Sequence, residues 1–128
     1  MTKVLLDTHA LIWWLEGGGK LSPAARRVIA AEESTVLVSN ASAWEIAIKH
    51  RIGKFRVPDL IKDFRGSVER EGFVELPISF EHAVIAGTLP GTHKDPFDRM
   101  LVAQSQVEDV AIVTRDEWIR EYPVECIW

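Results

Sequence analysis

The chain has 128 residues, 47% of them hydrophobic and 27% charged, with a formal net charge of −4. That size and mixture suit one soluble domain with its own core, residues 1–128, and no apolar run approaches the length of a membrane span. The acidic balance argues against a protein held to nucleic acid by bulk charge, but not against one that handles it through a local patch and a metal. The single cysteine, Cys126, rules out an internal disulfide and a cysteine-built zinc cluster, which fits a cytoplasmic protein.

The opening "KVLLD" reads as a short buried strand ending at Asp7. Asp7 and His9 interrupt the apolar stretch and no small-residue cleavage site follows, so this is read as a strand and helix rather than a signal peptide. "THALIWWLE" is helical and stops at Gly17 to Gly19. Ser22 with Pro23 starts a second helix, Pro23 taking the first helical position. "TVLVSN" is a β-branched, apolar second strand, and "SAWEIAIKHRI" is a helix running to Gly53. Pro58 opens one helix through "LIKDFRGSVEREG"; "FVELPI" is a third strand broken at Pro77; Ser79 caps "FEHAVIAGTLP". After the loop "GTHK", Asp95 and Pro96 begin another helix. "VAIVTRD" is a fourth strand, "EWIREYP" a short helical turn and "VECIW" a closing strand. Short apolar strands alternating with helices predict an α/β fold: a three-layer α/β/α sandwich around a largely parallel sheet of four to five strands.

In open parallel sheets, ligands bind beyond the carboxyl ends of the strands. Asp7 ends the first strand, Glu45 lies early in the helix after the second, Asp98 near the start of the helix entering the fourth, and Asp116 at the end of that strand. Each acid has a local explanation as a helix cap; Ser42 and Glu45, like Asp95 and Asp98, have the spacing of a capping box. Helical faces separate the readings. Glu45 shares a stripe with Ala41, Ile48 and Ile52, and Asp98 shares one with Leu101, Val102 and Ser105. A carboxylate on an inward stripe costs free energy unless paired. Two like charges about 4 Å apart repel by about 4 kcal/mol at an effective dielectric near 20. A cluster of four acids must therefore hold protons, pair with Arg or Lys, or bind a cation. An all-oxygen set suits Mg²⁺ or Mn²⁺.

With these residues in view, the chain resembles a PIN domain, specifically the VapC-type toxins of toxin–antitoxin pairs. The resemblance rests on "LLDTHALIW", "VSNASAWEIAIKHRIGK", "HKDPFDRMLVAQS" and "IVTRD", which occur in the family's order and span most of the chain. It implies an Mg²⁺- or Mn²⁺-dependent endoribonuclease that hydrolyses RNA through metal-activated water, with Asp7, Glu45, Asp98 and Asp116 as catalytic and metal-binding residues. It also implies a cognate antitoxin that blocks the site. Two toxin chains are expected to pair as a homodimer. One departure is His9, where many PIN domains carry Asn.

Thr8 and Thr114 stand beside site acids, either orienting them or capping backbone. Arg99 and Arg115 each follow a site acid or its strand and would hold a phosphate or pair with surface acids. Lys49, Arg51, Lys54 and Arg56, with His50, form a basic run read as a solvated helix end or as an RNA-contacting patch. Trp13 and Trp14 are adjacent, which predicts one in the core and one exposed at an interface. His93 is read as a solvated loop residue rather than an acid–base group. The rival functions are an aspartyl-phosphate phosphatase, disfavoured by His9 two positions after Asp7, and a non-catalytic PIN-like interaction module.

Overall fold

The computed structural model describes residues 2–128. Five strands, β1 (Thr2–Leu6), β2 (Ser34–Ser39), β3 (Val74–Leu76), β4 (Ala111–Val113) and β5 (Cys126–Ile127), form one sheet in the order β3-β2-β1-β4-β5, with every neighbouring pair parallel. The helices between them are α1 (Thr8–Leu15), α2 (Pro23–Ala30), α3 (Asn40–Arg51), α4 (Pro58–Lys62), α5 (Phe64–Arg70), α6 (Phe80–Thr88), α7 (Pro96–Glu108) and α8 (Glu117–Arg120). This is the α/β/α sandwich expected from the alternation of elements.

Strand side chains alternate between faces, and the central strand β1 divides the core accordingly. Val4 and Leu6 pack with Val36, Val38, Leu11, Ile29, Leu60 and Val68, which brings α1, α2, α4 and α5 to one face. Leu5 packs with Leu37, Ile112, Leu101, Val102 and Ile119, which brings α7 and α8 to the other. Because both faces of β1 are covered at Val4, Leu5 and Leu6, this part of the strand is continuously apolar rather than alternating. Leu5 is wholly buried, and truncating such a residue to Ala costs about 2–5 kcal/mol.

Local signals set most helix starts. The Ser22 side chain accepts from the Ala25 amide, with Pro23 opening α2. Ser79 and His82 form a reciprocal capping box at α6, and Asp95 accepts from the Phe97 and Asp98 amides before Pro96 in α7. Two expectations change. The helix after Pro58 is two helices, broken at Asp63, whose side chain accepts from the Gly66 amide and caps α5. A Cβ at Gly66 would stand 2.0 Å from the Asp63 carboxylate, so glycine at this position makes room for the cap. In α3 the cap is Ser39, which accepts from the Ala41 amide at 3.0 Å. Ser42 and Glu45 are consequently inside the helix and do not form a capping box. The inward face of α3 is Ala41, Ser42, Glu45 and Ile46; Ile52, placed on that stripe from spacing, is exposed because it lies past the helix end.

β2 and β3 lie on one side of β1, and β4 and β5 on the other. The chain direction across the sheet therefore reverses between β1 and β4, and the crevice beyond their carboxyl ends is where such sheets place ligands. The Asp7 amide donates to the Val113 carbonyl at 3.1 Å, fastening the two strand ends together at that point.

Candidate functional site

All four acids singled out from the sequence lie at this end of the sheet, delivered by four separate elements. Asp7 follows β1 directly and is buried. It caps α1, accepting from the Ala10 amide at 2.7 Å. Burial pushes its carboxyl above the usual range; hydrogen bonds from Thr114 and from the Ala10 amide pull it back, and the nearby Asp116 raises it again. Asp116 follows β4 and caps α8 through the Trp118 and Ile119 amides, at 2.8 and 3.2 Å. Capping and membership of the acidic group are thus compatible for both residues, because a helix start and a strand end meet at the same turn.

Glu45 is only 3% exposed. The Thr8 hydroxyl donates to its Oε1 at 2.6 Å and shares a 3.0 Å hydrogen bond with Ser42 Oγ. The other oxygen, Oε2, is paired with the Lys49 ammonium one helical turn away. Asp98 is half-buried on the face of α7 that carries Leu101, Val102 and Ser105, as the stripe predicts. Its Oδ2 meets His93 Nε2 at 2.9 Å. Burial is the main force raising the Asp98 carboxyl to about 7; the His93 hydrogen bond opposes this, while the negative charges of Asp95, Asp116 and Glu45 add to it. The charges of these acids are therefore close enough to act on Asp98.

The supporting residues divide. Thr8 holds Glu45, while the wholly buried Thr114 lies close enough to Asp7 to favour its charged form and accepts from the Asp116 amide at 3.0 Å. Arg115 is exposed, its guanidinium 4.6 Å from the centre of the Trp13 ring. With Asp7, His9, Trp13, Asp116, Glu117 and Trp118 it lines a cleft of about 350 Å³. Arg99 lies elsewhere in its bonding. It donates to the carbonyls of Ala86, His93 and Leu89, fastening the end of α6 and the following loop onto α7, and among the described residues it pairs with no acid. In the basic run, Arg51, Lys54 and Arg56 are exposed, whereas Lys49 turns inward to Glu45.

Two residues play parts that local reading underrated. His93 is half-buried rather than solvated, held between Asp98 and the ring of Trp118. Ser42 supports Thr8 instead of capping a helix. The available signal was spacing: His93 lies five residues before Asp98 across a helix start, close enough to reach back, but nothing local requires it to. Trp13 and Trp14 do not split into core and surface. Both are half-buried: Trp13 contacts His9 and Trp128, and Trp14 donates to Glu71 at 3.0 Å beside Phe73. A groove of about 470 Å³ between α3, α5 and β3 is lined by none of the four acids; Val38, Phe64, Val68 and Phe73 are among its walls.

Hard carboxylate oxygens are the donor chemistry of Mg²⁺ and Mn²⁺; burial is the main force raising Asp7 and Asp98, and the smaller repulsion from neighbouring acids that adds to it is what a cation would relieve. In donor type and charge the residues fit such an ion. Among the described residues, however, no three His, Cys, Asp or Glu side chains converge tightly enough to hold one. Glu45 and Asp98 are instead engaged by Lys49 and His93.

A parallel α/β/α sandwich with an acidic centre at its switch point is the class that fold and site define. The family model described as the PIN domain matches residues 4–125, and the chain belongs to that family. Several solved structures share the fold over nearly the whole chain. A chain of VapBC2 from Rickettsia felis, bound to a DNA fragment from its promoter, is 12% identical with a TM-score of 0.70, covering 98% of this chain and 97% of that one. VapC20 from Mycobacterium tuberculosis, a Sarcin-Ricin loop cleaving toxin, is 14% identical with a TM-score of 0.69, covering 94% and 95%. A toxin–antitoxin complex from Klebsiella pneumoniae contains a chain 18% identical with a TM-score of 0.61, covering 88% and 86%. No curated protein sequence matches. Among the described residues, no helix is long and apolar enough to cross a membrane.

Proposed function

We propose that this chain is a VapC-type toxin: a divalent-metal-dependent endoribonuclease restrained by a cognate antitoxin and working in the cytoplasm. The observation that carries this reading is the delivery of Asp7, Glu45, Asp98 and Asp116 by four elements to the switch point of a PIN-family sheet. The fold it shares with a toxin that cleaves the Sarcin-Ricin loop and with a toxin–antitoxin complex supports the substrate class and the partner.

In this reading the four acids hold Mg²⁺ or Mn²⁺. Such an ion would supply a bound water of lowered pKa and positive charge opposite the phosphodiester. The chain's own residues prepare the ground. Thr8 fixes one oxygen of Glu45, Thr114 favours the charged form of Asp7, and His93 fixes one oxygen of Asp98. Partners that lock carboxylate ligands in this way preserve both affinity and geometry. Arg115 at the cleft wall would meet a phosphate, and the exposed Arg51, Lys54 and Arg56 would give backbone contacts to RNA that offset the acidic total; their exposure supports this reading. Arg99 acts by holding the loop that carries His93.

A homodimer is part of the proposal. Phe80 and Val84, one turn apart on α6, are 94% and 66% exposed, and Trp44 on α3 is 62% exposed; an apolar surface left open in this way would suit association with a second chain. Light scattering should give twice the monomer mass at micromolar concentration; a monomer there and above counts against the pairing.

The deciding experiment is end-mapping of RNA fragments after the purified chain, freed of any partner, is given total RNA and Mn²⁺. Discrete cleavage ends that disappear with EDTA and return with Mn²⁺ are expected. Cleavage surviving exhaustive chelation overturns the metal mechanism. Absence of cleavage together with absence of divalent-ion binding favours a non-catalytic interaction module.

A further inference from the structure

Lys49 sits in a run of cations that sequence alone assigns to solvent or RNA. Its neighbours Arg51, Lys54 and Arg56 are exposed, but its own ammonium is turned against Glu45 Oε2, with the side chains 25% and 4% exposed respectively. An ordinary exposed pair at this helical spacing contributes a few tenths of a kcal/mol and decides little. This one differs because the carboxylate is buried, and a buried charge without a partner is strongly disfavoured. The remaining oxygen of Glu45 is held by Thr8, so the chain's own side chains satisfy the whole carboxylate.

We infer that Lys49 is an internal counter-ion of the acidic centre: it neutralises Glu45 while no divalent ion is held, and an ion that takes Glu45 as a ligand must displace it. The inference rests on the proposed reading of Glu45 as a ligand. Its physical basis is that an ammonium and a dication repel each other and compete for the same oxygen. The ring of Phe55, with its centroid 5.3 Å from Lys49 Nζ, offers the ammonium a cation–π contact that does not depend on Glu45. Lys49 thus acts through Glu45, as a positioning residue that sets metal affinity.

The test compares Lys49→Met with Lys49→Arg and the parent chain, by melting temperature without metal and in saturating Mn²⁺, and by calorimetric titration with Mn²⁺ alone. A ligand that binds only the folded state adds stability according to its affinity. Lys49→Met is expected to melt lower than the parent without metal, to recover the difference in saturating Mn²⁺, and to bind Mn²⁺ about tenfold more tightly, a factor readily resolved by titration. Lys49→Arg should stay near the parent without metal. If Lys49→Met does not fold without metal, Mn²⁺ should restore its fold, and failure to do so overturns the inference. A melting deficit equal in both conditions, with unchanged Mn²⁺ affinity, makes the pair purely structural and overturns the inference while leaving the metal reading intact. Binding by Lys49→Met but not by the parent supports the inference. Absence of Mn²⁺ binding in both overturns the inference and the metal reading together.

Discussion

The imidazole of His93 lies flat against the indole of Trp118, with 3° between the ring planes and 5.5 Å between centroids, while its Nε2 meets Asp98 Oδ2 at 2.9 Å. One side chain thus joins the loop before α7, the helix after β4 and a site carboxylate. The stack fixes the plane of the imidazole, and the imidazole fixes one oxygen of Asp98. His93→Ala is expected to retain the fold but lower Mn²⁺ affinity or RNA cleavage about 10–100-fold, the usual cost of removing a ligand's hydrogen-bond partner. Titration calorimetry and cleavage rates check this; an unaffected variant would assign the stack to loop packing alone.

The raised Asp98 carboxyl predicts a pH dependence of metal-free stability. Its value in the folded chain is about 7 against an ordinary 3.8, mainly through burial. Between those values the folded state binds more protons than the unfolded one, so stability falls as pH rises. This contribution is complete below about pH 4 and lost through about pH 7. Asp7, raised for the same reason, acts in the same direction. In EDTA, the melting temperature should fall between pH 5 and pH 8 by roughly 3–6 °C for each kcal/mol lost. Asp98→Asn should flatten that slope and melt higher than the parent at pH 8.

The two acids flanking Pro96 and Phe97 should separate by function. Asp95 caps α7 through two backbone amides, and Asn caps a helix about as well as Asp. Asp95→Asn should therefore melt within about 1 kcal/mol of the parent and keep most of its cleavage activity. Asp98→Asn keeps the side-chain shape but replaces a proposed anionic ligand with a neutral amide, and cleavage should fall by roughly 100-fold or more, equivalent to about 2.7 kcal/mol or more. Finding Asp95→Asn inactive and Asp98→Asn active would reverse the two roles.

Thr8 offers a test of preorganisation. Its buried hydroxyl bonds Glu45, and replacing it with Val retains the shape while leaving that oxygen without its donor. Thr8→Val should cost about 1–3 kcal/mol in chemical denaturation without metal, and Thr8→Ser should restore most of it. Equal stability of Thr8→Val and the parent would show that Ser42 can replace the lost donor.

Interactions spanning a few residues were legible in the chain itself. Ser22 before Pro23, Ser79 before α6 and Asp95 before Pro96 announce their helices because a cap bonds amides two or three residues away. The apolar strands announce a parallel sheet because both their faces are covered, and acids following successive strands point to one edge because parallel strands end on the same side. The break at Asp63 was harder to see, since the stretch remains helical on either side and the local backbone turn at Asp63 decides. Tertiary structure alone selected the partners. Thr8 and Glu45 are 37 residues apart, and the Arg99 donors reach carbonyls up to 13 residues away. Sequence left Lys49 to solvent or RNA, and burial of the Glu45 carboxylate one turn away gave it a third environment. Sequence spacing sets which side chains can share a helical face or a sheet edge, but the choice among competing donors depends on desolvation, which exists only once the core has closed around them.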